Sequence, residues 1–321
     1  MTTFHDNPYL DLVQYILDRG VQKPNRTGVD AIGVFSYQMR FNLSDGTIPL
    51  LTTKKVHVKS IIHELLWIIS GSSNIKYLNN NGVTIWDEWA DKDGELGPVY
   101  GVQWRAWQSY VLNETETQHR DVAVYDVTHV DQIAQLVDKL KNHPLDRRLI
   151  ISAWNVADLP RMKLPPCHYT FQVYTQPLSL NERIAIASKT HHILDDASNE
   201  ELVAVFDANN VPKYQMSLMV NQRSCDVGLG VPFNMVQYAF MLRMFCEVAN
   251  MAPGELIWNG GDTHIYVNHI DALKEQLTRS THPSPTFKFA RPIDNIDDFK
   301  YDEFVVENYT QHPAIKMDVA I

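Results

Sequence analysis

The apolar periodicity of this chain switches between helical and strand spacing without settling into a repeat, and that irregular mixing decides its fold class. Tyr9, Leu10, Val13, Ile16 and Leu17 recur at helical spacing, with Gly20 placed as a C-cap. Phe35, Tyr37, Met39 and Phe41 alternate and run into the turn chemistry of Ser44-Asp45-Gly46. Ile61, Ile62, Leu65, Leu66 and Ile69 form a second helical stripe that flanks Glu64. Leu149-Ile150-Ile151 reads as a buried strand, and Tyr169/Phe171/Val173 and Met216/Leu218/Val220 as two alternating ones. Pro232 opens a helix reaching about Asn250, and Thr263–Val267 is a short strand leading into a helix that ends near Arg279. No regular βαβ repeat links these elements, so an α+β fold is expected over a doubly wound sheet.

At 321 residues with 45% hydrophobic content, the chain can bury a sizeable core. Two stretches look inserted: polar Gln108–Thr128, and Leu178–Lys213, which lies between two strands and carries Asp195-Asp196 and Asn209-Asn210. A hairpin connection is usually a few residues, so the second is long enough for structure of its own, with Glu200–Phe206 helical. Neither is expected to carry chemistry, and 1–321 is read as one domain with these insertions.

Lysine plus arginine number 28 against 38 acidic residues, a formal charge of −10, which disfavours nonspecific nucleic-acid binding. It leaves room for a small anion held by a local arginine cluster. Three cysteines without CxxC spacing suit a reduced, cytoplasmic protein. The N-terminus has no signal-like apolar region, and the longest apolar run, Ile61–Ile69, holds His63 and Glu64 and cannot span a bilayer.

Cys167 follows Pro165-Pro166, which stiffen its approach. A free cysteine in isolation is more often buried filler; a nucleophile needs a cationic neighbour to favour its thiolate. His168 cannot be its base, because adjacent strand residues face opposite ways. Arg26, Arg147, Arg148 and Arg223 with Ser224 are singly surface groups, but together would suit a phosphate dianion. No P-loop or Rossmann glycine pattern is present. His264 and Tyr266, two apart on a strand, leave one face and could meet a sugar hydroxyl. Trp86 and Trp89 are packing residues or stacking surfaces for a heteroaromatic ring. No metal-ligand spacing stands out, so no metal is expected.

Eight strings then occur in order: Asn25-Arg26-Thr27-Gly28, HELLW (His63–Trp67), IWDEWAD (Ile85–Asp91), GPVYGVQWR (Gly97–Arg105), PPCH (Pro165–His168), QRSCDVGLGVPFN (Gln222–Asn234), GGDTHIYVNH (Gly260–His269) and IKMDVAI (Ile315–Ile321). Together they resemble the thymidylate synthase family, most closely its bacterial members, across nearly the whole chain outside the insertions. The resemblance implies a large mixed β-sheet with flanking helices, paired sheet to sheet in a homodimer. It implies reductive methylation of dUMP to dTMP by 5,10-methylenetetrahydrofolate, a cosubstrate that leaves as dihydrofolate. Residue by residue it makes Cys167 the nucleophile at uracil C6, with Glu64, Tyr100, Asn234, Arg223 and Asp226 also catalytic. It assigns dUMP to Arg26, Arg223, Ser224, Asp226, Asn234, His264 and Tyr266, with Arg147 and Arg148 donated across the interface. It assigns the folate to Lys54, His57, Ile85, Trp86, Trp89, Leu164, Asp226 and Ile321.

Two rival functions remain. A deoxypyrimidine nucleotide hydroxymethylase shares fold, thiolate and folate, but relatives that read cytosine carry an acidic residue where Asn234 stands. An RNA-binding regulator on the same fold would need a basic stripe that this acidic chain lacks.

Overall fold

The computed structural model describes residues 2–120, 122–188 and 197–319. Its centre is a six-stranded sheet in the spatial order Val21–Lys23, Ala31–Asn42, Ala252–Tyr266, Tyr214–Asp226, His168–Pro177 and Ile150–Ser152. All neighbours are antiparallel except Tyr214–Asp226 with Ala252–Tyr266, which are parallel. The sheet is therefore mixed, as expected. A parallel pair needs a crossover, and the 20-residue helix Gly230–Ala249 supplies it. At 1.5 Å per residue it is about 30 Å long, enough to carry the chain back along the sheet. It is apolar on nearly every side because the sheet covers one side and other helices the rest. Helix Val58–Ile69 is among those that pack on it.

Strand alternation sorts the sheet into two faces. Phe171, Val173, Leu218, Val220, Leu256 and Trp258 point to the helical side and are all but inaccessible. The other face is open: Phe35 is 86% and Tyr174 65% exposed, beside an amide ladder in which Gln38 donates to Asn259 and Asn259 to Asn221. Among the described residues, no helix is long and apolar enough to cross a membrane.

Three expectations need correction. The strand at Thr263–Val267 is only the end of a 15-residue strand, Ala252–Tyr266. Pro253-Gly254 and Gly260-Gly261 within it read as turn chemistry, but Pro253 pairs with Met216 and Gly260 with both Tyr37 and Gln222, and the strand runs on through them. The edge strand is not buried throughout: Leu149 and Ile151 are inside, while Ile150 is half exposed. The stretch 108–128 is not simply polar loop; Trp107–Leu112 and Tyr125–Val130 pair as an antiparallel ribbon with helix Glu114–Arg120 between them.

The stretch 178–213 bears out the helical reading. Helices Leu180–Ala187 and Asn199–Ala208 each begin with a capping box, Ser179 with Glu182 and Ser198 with Glu201. They close over a small core of their own, with Phe206 and Val211 buried. Asp195-Asp196 lies outside the described residues.

Candidate active site

Cys167 stands at the mouth of the strand His168–Pro177, where the two prolines leave it few conformations. Its N–H donates to the Tyr100 hydroxyl at 2.8 Å, and its carbonyl accepts the Arg223 N–H at 2.8 Å. The Arg223 side chain binds the same loop, Nε to the Pro166 carbonyl and Nη2 to the Pro165 carbonyl, both at 2.9 Å. Residues 56 apart in sequence are thus clamped by main chain and side chain together.

The thiol opens into a cavity of about 230 Å³. Arg26, Arg223 and Ser224 line it together with Leu164, His264 and Tyr266. Arg26 arrives on a turn that Asn25 closes by accepting the Thr27 N–H at 2.9 Å. His264 and Tyr266 leave the same strand face, ring centroids 5.2 Å apart. Arg223 also borders a hollow on the open sheet face with Trp154, Tyr169 and Phe35, so guanidinium chemistry here is approachable from outside the chain.

Burial pushes the Cys167 thiol above its ordinary value; the guanidiniums of Arg223 and Arg26 pull the other way without overcoming it. The expected thiolate bias from Arg223 is present but outweighed in the lone chain. His168 turns away into the core, its Nδ1 2.8 Å from the Tyr238 hydroxyl and its ring stacked on Tyr100 at 4.2 Å. Burial depresses it to about 3, so it stays neutral and is no base for Cys167.

Behind the thiol lies a buried carboxyl. Glu64 Oε1 accepts the Trp86 indole N–H at 2.6 Å and Oε2 the Gln237 amide at 2.9 Å. Burial raises Glu64 to about 7 despite these two donors. A carboxyl poised there can both give and take a proton at neutral pH. Trp86 is consequently not a free stacking face: it is 7% exposed and meets Trp89 edge-on.

Asn234 stands near the start of helix Gly230–Ala249 and is aimed by two residues, Gln222, which the sequence suggested only as an oxyanion binder, and Trp258, which it did not single out. Trp258 Nε1, a donor only, bonds Gln222 Oε1 at 2.9 Å. That fixes the Gln222 amide, whose Nε2 donates to Asn234 Oδ1 at 3.0 Å. The Asn234 NH₂ is thereby turned away from Gln222. Gln222 lay within a quoted string, but only the fold brings Trp258 onto it.

Asp226 ends its strand; Oδ1 accepts the Gly228 and Leu229 N–H groups, and Oδ2 accepts none among the described residues. Ile85, Trp89 and Leu164 are partly buried against the core. Lys54 is inside, not on a rim: its ammonium donates to the Gly228 carbonyl and burial draws it down to about 8. His57 is exposed at the start of its helix, Nδ1 2.7 Å from Ser60 Oγ. Arg147 and Arg148 are not at this chain's cavity. Both are exposed, Arg148 with Nε on Asp146 at 3.1 Å. Ile321 lies outside the described residues. A larger hollow of about 730 Å³, between residues 178–186 and the end of the central helix, gathers none of the candidate residues.

Compared with known proteins, the chain matches the family model described as thymidylate synthase over residues 7–321.

Proposed function

This chain belongs to the thymidylate synthase family, and from that premise we propose that it converts dUMP to dTMP, using methylenetetrahydrofolate, through a Cys167 adduct at uracil C6. The supporting observation is one cavity lined by a thiol, by the guanidiniums of Arg26 and Arg223 with the Ser224 hydroxyl, and by the polar pair His264 and Tyr266. A nucleotide needs that succession of partners: oxyanion donors for phosphate, hydroxyl partners for sugar, and a nucleophile at the base.

Arg26, Arg223 and Ser224 hold the phosphate, joined by Arg147 and Arg148 of a second copy docked on the open sheet face. Added guanidiniums offset the burial that raises the thiol, so Cys167 is activated only in the assembled site. His264 and Tyr266 bind the deoxyribose hydroxyl. Asn234, with its amide orientation held by Gln222, donates to uracil O4 and accepts from N3–H; cytosine presents the opposite pattern. Cys167 adds to C6, which makes C5 nucleophilic. Glu64 exchanges protons with the pyrimidine oxygen and the folate nitrogen through water, and Tyr100 belongs to the group that removes the C5 proton.

Asp226 fits a pterin edge because its Oδ2, unpartnered among the described residues, can accept N–H donors while Oδ1 is held. Ile85, Trp89 and Leu164 form apolar walls, and Trp86 acts chiefly by holding Glu64. The folate, when bound, supplies the one-carbon unit and the hydride. Ile321 closes over it and excludes water. The whole of 1–321 acts as one catalytic unit.

The test is spectrophotometric: protein, dUMP and methylenetetrahydrofolate should give dihydrofolate absorbance together with dTMP. Protein that binds both ligands yet forms neither product overturns the proposal. A hydroxymethylated nucleotide, about 16 Da heavier by mass, would install the hydroxymethylase reading instead.

A further inference from the structure

His269 is fully buried, yet its Nδ1 has no hydrogen-bond partner among the described residues. Buried polar atoms are nearly always satisfied, so such an atom calls for a physical reason. The other nitrogen supplies one. Nε2 lies 2.7 Å from the Asp318 carbonyl, which can only accept, so Nε2 carries the proton and Nδ1 presents a lone pair. Asp226 Oδ1 stands 3.8 Å from Nδ1, too far for a hydrogen bond.

The surroundings are built around this ring. A Cβ on Gly228 would stand 2.6 Å from His269 Nδ1 and 3.2 Å from Met317 Sδ. Glycine is thus what lets the 226–229 turn, the imidazole and the C-terminal segment meet. The ring also contacts Tyr266 edge-on at 5.7 Å. On its far side Asn268 reinforces the hold on the Asp318 carbonyl, although at 3.4 Å.

We propose that His269 is a positioning residue that tethers the C-terminal segment at Asp318 against the two strand ends that carry Asp226 and Tyr266. The inference rests on the reading of Asp226 as a pterin partner and of Tyr266 as a nucleotide partner. Its geometry, however, lies wholly within the described chain. The tether fixes the Asp318 carbonyl, and a shift of either strand end on filling its subsite passes to the segment through one ring. Such coupling is mechanical: the ring is held on one side by the Asp318 carbonyl and crowded on the other by Gly228 and Tyr266.

His269→Phe keeps a ring and deletes the donor; His269→Gln keeps an amide donor near Nε2. The expected result for His269→Phe is unchanged dUMP affinity, a kcat at least tenfold lower, a raised folate KM, and faster hydrogen exchange at residues 314–319. His269→Gln should recover part of kcat and of the exchange protection, which a purely packing role would not predict. Gly228→Ala, crowding Nδ1, should loosen the same segment. In the wild-type protein, long-range nitrogen NMR should find the His269 proton on Nε2. An Nδ1–H ring, or wild-type turnover and tail protection in His269→Phe, overturns the tether. Should the wild-type protein make no dihydrofolate, the functional reading fails, while tautomer and exchange still judge the tether separately.

Discussion

The strands His168–Pro177 and Tyr214–Asp226 lie side by side, and their two ends are built on opposite principles. At one end Cys167 and Arg223 are positioned by distant partners: Tyr100 holds the Cys167 N–H and Arg223 clamps the prolines. Glu64 there meets Gln237, 173 positions away. At the other end residues 178–213 are held by neighbours. Capping boxes start both helices, and Arg183 reaches Asp207, the Val211 carbonyl and the Phe206 ring, all within the same stretch. The reactive end depends on the whole fold, while the far end depends mostly on itself. Groups that must not relax during chemistry need long-range restraint; a module closed by local contacts can be added without disturbing them.

The sharpest way to break this contrast is at the thiol. Cys167→Ala should lower kcat by about ten thousandfold or more while dUMP still binds, because no other group can form the covalent bond. Cys225 and Cys246, both buried and both pushed up to about 12, should be replaceable with most activity kept. Steady-state kinetics on the three variants decides it, and near-normal turnover without Cys167 would remove the nucleophile.

Next in size is Glu64→Gln, expected to cost about a hundredfold or more in kcat as a general acid–base group. Its effect on stability has the opposite sign. Glu64 is raised from an ordinary 4.5 to about 7, so between those values the folded chain holds a proton that the unfolded chain has released. Stability therefore falls as pH rises through that window, by roughly 3 kcal/mol at its upper end. Gln escapes this loss, and Gln237 can turn its Oε1, unpartnered among the described residues, toward the new amide. Denaturant melts at pH 5 and pH 8 should show the variant gaining on wild type at the higher pH. An equal difference at both would mean that Glu64 is ionised normally.

A smaller effect belongs to Arg148→Ala, about tenfold in dUMP KM for loss of one phosphate donor. Mixed with Cys167→Ala under proven subunit exchange, it should recover the wild-type dUMP KM, since one pocket of the hybrid then has both an intact thiol and an intact donated arginine. No recovery would return Arg148 to the surface of its own chain.

The smallest change is expected where the module is removed. Pro177 pairs directly with Tyr214, so a two-residue turn such as Asn-Gly can replace 178–213. kcat and KM should stay within about twofold, as changes remote from the site usually do. A large loss would mean that the far end is not autonomous and would erase the comparison.

Much of the fold was legible because periodicity reports burial. The stripes around Glu64 and along residues 9–17, and the alternation at 35–41, 169–173 and 216–220, reappear as the elements they implied. The strand Ala252–Tyr266 was largely hidden, since its glycines and proline carry local turn signals that the pairing of the strand as a whole with its two neighbours overrides. The ribbon at 107–130 was hidden for a different reason: it is mostly exposed, so no alternation of burial is written into it.

By itself, then, the sequence determined the mixed α+β class, the identity of the family through its ordered strings, and which side chains could act. A string of residues carries chemical type and local spacing, and those suffice for such conclusions. Only the tertiary structure decided that Trp86 holds Glu64 instead of offering a stacking face, that Trp258 and Gln222 aim Asn234, that Lys54 is inside, and that burial outweighs two arginines at Cys167. Each of these depends on groups tens or hundreds of positions apart and on how much water they lose together. Desolvation and hydrogen-bond direction are properties of a place in space, and the order of residues along a chain does not specify them.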